Sequence, residues 1–261
     1  MTQYHAVTTC SAEGWDRDGR KMVQSFLKFW PEDISISIFV DGFSVVGDQL
    51  YGDRTPRHLM PSWLDEFKAR NAAPAKSGLK ADKYNYRFDA VKFAHKVAAY
   101  TTLALAQDGA DETLIWIDAD TEFHAPVTHA FLNRVIDHSA YICWLNRDRK
   151  YPECGFFTLD LSHEANSEVM HRLQRLYTHG GLFDMAEWHD SYVLQQVIER
   201  AINEGLIPLP GSLSGSASNT PHPAINGPLG AILDHKKGDR KYEGRSRPRD
   251  LRVKRTEEYW K

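Results

Sequence analysis

The chain has 261 residues, 42% hydrophobic and 11% aromatic, enough for a sizeable core within one domain. Its formal charge of -3 conceals an asymmetry, because residues 236–261 carry eleven basic side chains against five acidic ones and the remainder therefore holds about -9. Three scattered cysteines, Cys10, Cys143 and Cys154, exclude a disulfide framework and a zinc-type spacing, and no apolar run approaches the roughly 20 residues of a membrane span. With no basic flank and apolar stretch at residues 1–10, a reduced, cytoplasmic protein without a transmembrane segment is expected.

Residues 4–9 read as a strand; Met22, Val23, Phe26, Leu27 and Trp30 then recur at helical spacing until Pro31. Residues 34–40 form a second strand, and strand, helix, strand within about forty residues is a βαβ unit requiring a parallel sheet. From 43 to 84 the pattern weakens around Pro56, Pro61 and Pro74, so a variable insertion of loops around one short helix near 63–67 is expected. A long helix, buried along most of its girth, is expected from about Arg87, with Gly109 just past its end. Leu114, Ile115, Trp116 and Ile117 form an unbroken apolar run, the mark of a central parallel strand covered on both faces.

Two further apolar runs, 141–145 and 155–159, read as strands, and residues 190–201 as a helix closed by Gly205. Residues 210–230, rich in Ser, Gly, Pro and Asn, read as a flexible linker or lid, too poor in apolar surface to order itself. The fold class is α/β: one unit over residues 1–245, then a basic tail over 246–261.

Chemistry concentrates where the apolar run ends. Asp118-Ala119-Asp120 is followed by Glu122, and alternate residues of an extended chain share a face, so three carboxylates are expected to point together and bind a hard divalent cation. Open α/β sheets bind ligands at the carboxyl ends of their strands, where this cluster lies. A chain of this size holds about one Asp-x-Asp by chance, and Asp16-Arg17-Asp18 is such a decoy, with no apolar strand before it.

An apolar strand ending in Asp-x-Asp after a βαβ unit resembles the nucleotide-sugar transferases of the GT-A fold, which implies a Rossmann-like domain with a mixed, mostly parallel sheet flanked by helices. His235-Lys236-Lys237-Gly238-Asp239-Arg240-Lys241 resembles the His-x-x-Gly-x-x-Lys element of the glycogenin-like, retaining branch. There the His is a metal ligand and the Lys meets the diphosphate. The resemblance implies Asp118, Asp120 and His235 as ligands of Mn²⁺ or Mg²⁺, with Asp118, Lys237, Gly238, Arg240 and Lys241 at the donor diphosphate. Asp190-Ser191-Tyr192-Val193-Leu194-Gln195 resembles the Asp-Gln-x-x-Leu-Asn signature, in which the acidic residue lies beside the transferred sugar; Ser191 is the departure. Glu153-Cys154-Gly155 is similar to the small-residue-Gly strand passing under the donor sugar, which makes Glu153 a candidate sugar ligand beside Asp190 and Gly155 a point of close approach. Arg87, Asp89 and Lys92 resemble positions that contact donor phosphate and sugar, whereas Lys96, on the same stripe, reads better as a solvated lysine.

The expected reaction is metal-dependent transfer of a hexosyl or pentosyl group from a nucleotide diphosphate sugar to a glycan, small-molecule or protein acceptor. Arg245, Arg247, Arg249, Arg252, Lys254 and Arg255 add an alternative, a DNA-modifying glycosyltransferase of phage type whose tail meets nucleic acid. A sugar-phosphate nucleotidyltransferase is a third reading, but the loop Cys10-Ser11-Ala12-Glu13-Gly14 lacks the glycine- and arginine-rich sequence it requires. A non-catalytic sugar-nucleotide-binding protein is a fourth.

Overall fold

The computed structural model describes residues 3–42, 50, 52–80 and 83–261. Strand β1 (Gln3–Ser11) leads into α1 (Ala12–Gly14), a π turn (Trp15–Gly19) and α2 (Arg20–Phe29), and β2 (Ser35–Asp41) returns parallel to β1. The βαβ start agrees with the periodicity. Its helical path begins earlier, at Ala12, because Ser11 caps it by accepting from Gly14 N at 3.2 Å.

Within the stretch 43–84, residues 43–49, 51, 81 and 82 lie outside the described residues. The rest holds β3 (Arg57–Leu59), the expected short helix as α3 (Ser62–Arg70), and an antiparallel hairpin of β4 (Ser77–Lys80) and β5 (Lys83–Asp89). Arg87 therefore lies on a strand. The long helix α4 (Ala90–Ala106) starts after Asp89, whose side chain caps it by accepting from Lys92 N at 3.1 Å.

Then follow β6 (Glu112–Ile117), β7 (Thr121–Phe123), α5 (His129–Val135), β8 (Ile142–Arg147), β9 (Lys150–Asp160), α6 (Asn166–Thr178), α7 (Asp190–Asn203), β10 (Gly211–Ser212), α8 (Pro223–Asn226), β11 (Leu233–His235) and α9 (Arg240–Glu243). The main sheet has the order β10-β8-β9-β6-β1-β2-β3, and among its strands only β9 runs against the rest. That reversal matters for the site, because it brings the start of β9 to the edge where β6 ends.

The sheet separates two cores. Leu114 and Trp116 of β6 face one with helices α3, α4, α6 and α7, and Ile115 and Ile117 face the other with α2 and α5. Full coverage of both faces is why the β6 run has no polar residue.

Residues 210–230 are built into the body, contrary to the expectation of an unordered linker. β10 pairs with β8, Leu213, Ala217, Ala224, Ile225 and Leu229 are buried, and Ser214 Oγ donates to Asn146 O at 2.8 Å. The stretch is poor in apolar residues, but its side-chain and backbone hydrogen bonds supply the order that composition does not reveal.

The basic tail also packs down. Trp260 Nε1 donates to Gly230 O at 2.7 Å, Arg255 Nη2 donates to Ile225 O at 2.6 Å, and Arg240 Nε pairs with Asp250 at 2.9 Å. Asp234, wholly buried beside His235, accepts from Ser246 N, Ser246 Oγ and Tyr259 OH at 2.7, 2.6 and 2.8 Å. Arg245 and Arg247 are likewise engaged, by Tyr259 O and Glu243, while Arg249, Arg252, Lys254 and Lys261 are exposed, the last paired with Glu258 at 3.0 Å. The nucleic-acid contact expected of a free basic tail gains no support from this packing. All three cysteines are free and buried, and no described helix is long and apolar enough to cross a membrane.

Candidate metal centre

At the tip of β6 the chain turns at once. Asp118 N donates to Gly155 O at 2.9 Å and Thr121 N to Asp118 O at 3.0 Å, so residues 118–120 form a turn and the extended alternation stops. Glu122 consequently leaves the expected row of three carboxylates and pairs with Lys236 Nζ at 3.2 Å. A histidine takes its place. β7 pairs antiparallel with β11, Thr121 opposite His235, and this ribbon returns His235 to Asp120 across more than a hundred positions of sequence.

Asp118, Asp120 and His235 each offer one ligand atom, all within 4.8 Å of one another. His235 Nε2 stands 3.6 Å from Asp118 Oδ2 and 3.2 Å from Asp120 Oδ1. Adjacent ligands of an octahedral ion bound at about 2.0–2.1 Å lie about 3 Å apart, so this spacing suits a divalent cation.

The neighbours of these groups decide which atoms are left to bind. Asp118 Oδ1 accepts from Lys96 Nζ at 2.8 Å and Trp116 Nε1 at 2.7 Å, which frees Oδ2. Asp120 Oδ2 holds Lys241 Nζ at 2.6 Å, and its Oδ1 is buried with no aligned hydrogen-bond donor. His235 Nδ1 donates to Glu153 Oε1 at 3.0 Å, which leaves Nε2. Asp120 Oδ1 has the His235 ring beside it, 3.2 Å away but out of line for a hydrogen bond, and a cation between these three atoms would satisfy it better, so the residues present fit a metal ion. The Asp118 side chain is 29% exposed, against 12% for Asp120 and 8% for His235, so the cluster opens to solvent on the Asp118 side.

Burial opposes a charge on His235, but the Asp120 and Glu153 carboxylates outweigh it and hold its pKa up at about 10. Burial likewise opposes the charge on Asp120 and Glu153, yet the cationic His235 with Lys241, and Lys237 with His235, keep both well below the usual carboxylate range. The metal-free cluster at neutral pH therefore carries a protonated imidazole between two ionised carboxylates. A cation needs Nε2 bare, so its binding displaces one proton while the carboxylates stay ionised throughout. Apparent Mn²⁺ affinity is expected to rise about tenfold per pH unit from pH 6 to 8, read by calorimetric titration. A flat profile would remove His235 from the ligand set.

The other candidate residues divide. Gly155 is close to the cluster, but the group it accommodates is the His235 ring: a Cβ there would lie 2.3 Å from His235 Cε1. Glu153 is buried, its two oxygens taken by His235 Nδ1 and by the Lys237 ammonium, so neither is left free for the sugar contact expected of it. Gly238 adopts φ 55° in the turn that folds Lys241 back onto Asp120, a left-handed conformation suited to glycine. Asp190, at the start of α7, is tied through Oδ2 to Lys96 Nζ at 2.7 Å.

Lys96 corrects the sequence reading most sharply. It is buried and bonds Asp118, Asp190 and the Cys154 carbonyl together, and although burial opposes its charge the two carboxylates hold its pKa above the ordinary lysine value. Its signal in the sequence is a lysine set among Ala94, Val97 and Ala98 in the apolar middle of its helix. Trp116 and His222, whose Nε2 donates to His235 O at 2.8 Å, are further site residues that motif reading misses.

Four candidates stand outside the cluster. Arg87 is half exposed and pairs with Glu187 at 3.2 Å. Asp89 is occupied as the α4 cap and by Tyr84 OH at 3.0 Å, and Lys92 is exposed near the Tyr84 ring. Arg240, though on the His-x-x-Gly-x-x-Lys turn, is committed to Asp250.

No protein-family model matches the sequence, and no curated protein matches it either. Among solved structures, the apo form of mouse xyloside xylosyltransferase 1 is similar to this chain with a TM-score of 0.50 and 13% sequence identity, over 82% of this chain and 86% of that one. The α/β architecture, a mixed and mostly parallel central sheet flanked by helices, is thus shared with that xylosyltransferase, and in this chain an Asp-Asp-His cluster compatible with a divalent metal lies at the carboxyl edge of the sheet.

Proposed function

We propose that the chain is a metal-dependent glycosyltransferase that takes a nucleotide diphosphate sugar as donor. One observation carries this reading: Asp118 Oδ2, Asp120 Oδ1 and His235 Nε2, brought from two distant segments, converge at the strand edge where open α/β sheets bind ligands. Asp118, Asp120 and His235 would hold the Mn²⁺ or Mg²⁺ ion. When bound, that ion supplies the positive charge that stabilises a departing diphosphate.

The chain's own residues do the rest. Lys241, beside Asp120, adds a second positive charge for the diphosphate. Asp190, fixed through Oδ2 by Lys96, offers a carboxylate that stabilises the positive character of the sugar carbon as its bond to the leaving group breaks. The glycogenin-like motifs add that the anomeric configuration is retained.

Asp118→Asn keeps an oxygen for Lys96 and Trp116 while removing the ligand charge. Donor turnover, measured as release of nucleoside diphosphate from a panel of nucleotide sugars with Mn²⁺, is expected to fall on the order of 10²–10³-fold with the melting temperature nearly unchanged. Undiminished turnover sinks the reading. NMR of the product anomer in the same assay reads the stereochemistry, and an inverted product removes the glycogenin-like comparison.

A further inference from the structure

Strand β9 is antiparallel to both neighbours, so its opening residues lie at the ligand-binding edge. Its pairing with β8 is interrupted there: Trp144 faces Phe157 but Leu145 faces Glu153, a bulge that takes 154–156 out of the ladder. Such bulges re-aim side chains. Here the bulge coincides with Glu153 turned inward, its side chain 6% exposed. A carboxylate is expensive to bury unless each oxygen is engaged, and both are: Oε1 accepts from His235 Nδ1 at 3.0 Å and Oε2 holds the Lys237 ammonium.

We infer that Glu153 is a positioning residue for the metal centre, which sets the orientation and tautomer of His235 so that Nε2 faces Asp118 and Asp120. This role rests on the proposed metal site and replaces that of a sugar ligand. The ring has two constraints. Gly155 leaves room for its flat side, and Glu153 fixes rotation about the remaining axis by holding the Nδ1 proton. Lys237 belongs to the same chain of contacts: its ammonium pins the carboxylate, so it serves the histidine and leaves phosphate contact to Lys241. Removing a carboxylate that orients a metal-bound histidine lowers metal affinity by about 10–100-fold in general.

The test uses the full-length protein and Mn²⁺ alone. In Glu153→Gln, Mn²⁺ affinity, followed by the electron paramagnetic resonance of free Mn²⁺, is expected to fall about 10–100-fold, and pulsed measurements on the bound ion should lose the histidine nitrogen coupling seen in the wild type. In a His235→Ala background the same change should have no further effect, since a residue acting through His235 has nothing left to position. Additive losses, or wild-type affinity and coupling in Glu153→Gln, overturn the inference. Lys237→Met, which leaves both Glu153 and the fold's apolar contacts in place, should move both readouts in the same direction by less and decides the matter if Glu153→Gln does not fold; an unchanged Lys237→Met then overturns it. A wild-type chain that takes up no Mn²⁺ overturns the proposed metal site as well, which separates that failure from this one.

Discussion

The Lys96→Met chain is expected to be less stable than the wild type by about 3–5 kcal/mol and to lose donor turnover altogether. Methionine matches the lysine stem and suits the Trp116 and Phe157 rings around it, so little packing is lost. The ammonium is what disappears. Asp190 Oδ2, 2.7 Å from Lys96 Nζ, would be left as a buried anion repelled by the partly exposed Asp118, whose Oδ1 lies 2.8 Å from the same nitrogen, and the Cys154 carbonyl would lose its donor. Taking away one partner of a buried ionic group costs far more than the group contributes as a whole. Both the ligand Asp118 and the candidate catalytic Asp190 would then move. Chemical denaturation and Mn²⁺ titration measure the two effects, and a change below about 1 kcal/mol with intact turnover would show that the lysine joins nothing of consequence. Arginine is a poor substitute, since its planar fork does not fit three acceptors gathered around one nitrogen.

Gly155→Ala is the second large effect. The added Cβ would stand 2.3 Å from His235 Cε1, 2.7 Å from Nδ1 and 3.0 Å from Nε2, so the imidazole cannot stay where it is. Gly155 does not need a positive φ, and alanine can occupy the strand, so the sheet should form as before. Mn²⁺ affinity is expected to fall about a hundredfold or more while the far-ultraviolet circular dichroism is unchanged. Wild-type affinity in this variant would mean that the ring and the strand are not in contact.

Legibility differed by residue for physical reasons. β6 is readable because both of its faces are covered along Leu114–Ile117, so those four positions must be apolar, and Asp118 and Asp120 stand out by following them. Glu122 misleads because alternation presumes an extended chain and the turn at 118–120 ends that alternation. The proposed third ligand, His235, is carried by its motif; no periodicity links it to Asp120, because ribbon pairing between distant segments leaves no local trace. Lys96 goes unread because a surface rule assigns lysines to solvent, and only the carboxylates above it reveal why this one is buried. The β5 segment and the start of α4 merge in the sequence because the cap at Asp89 looks like one more acidic residue on a helix. α6 goes unread although Val169, Met170, Leu173 and Tyr177 recur at helical spacing, because it lacks any chemical motif to draw the eye. Residues 210–230 defeat composition because hydrogen bonds hold them, and apolar content does not count those.

The clamp on Asp234 ties remote parts of the chain to the proposed metal centre. Asp234 precedes His235 on a three-residue strand, and its oxygens are gripped by Ser246 and Tyr259 from a stretch that carries no ligand and no motif. Strand β11 is too short to hold its own register, so the accuracy of Nε2 is borrowed from the far end of the polypeptide. Damage at Tyr259 would accordingly register as a loosened ligand, and a survey of inactive variants would map a catalytic defect onto residues that never approach a substrate.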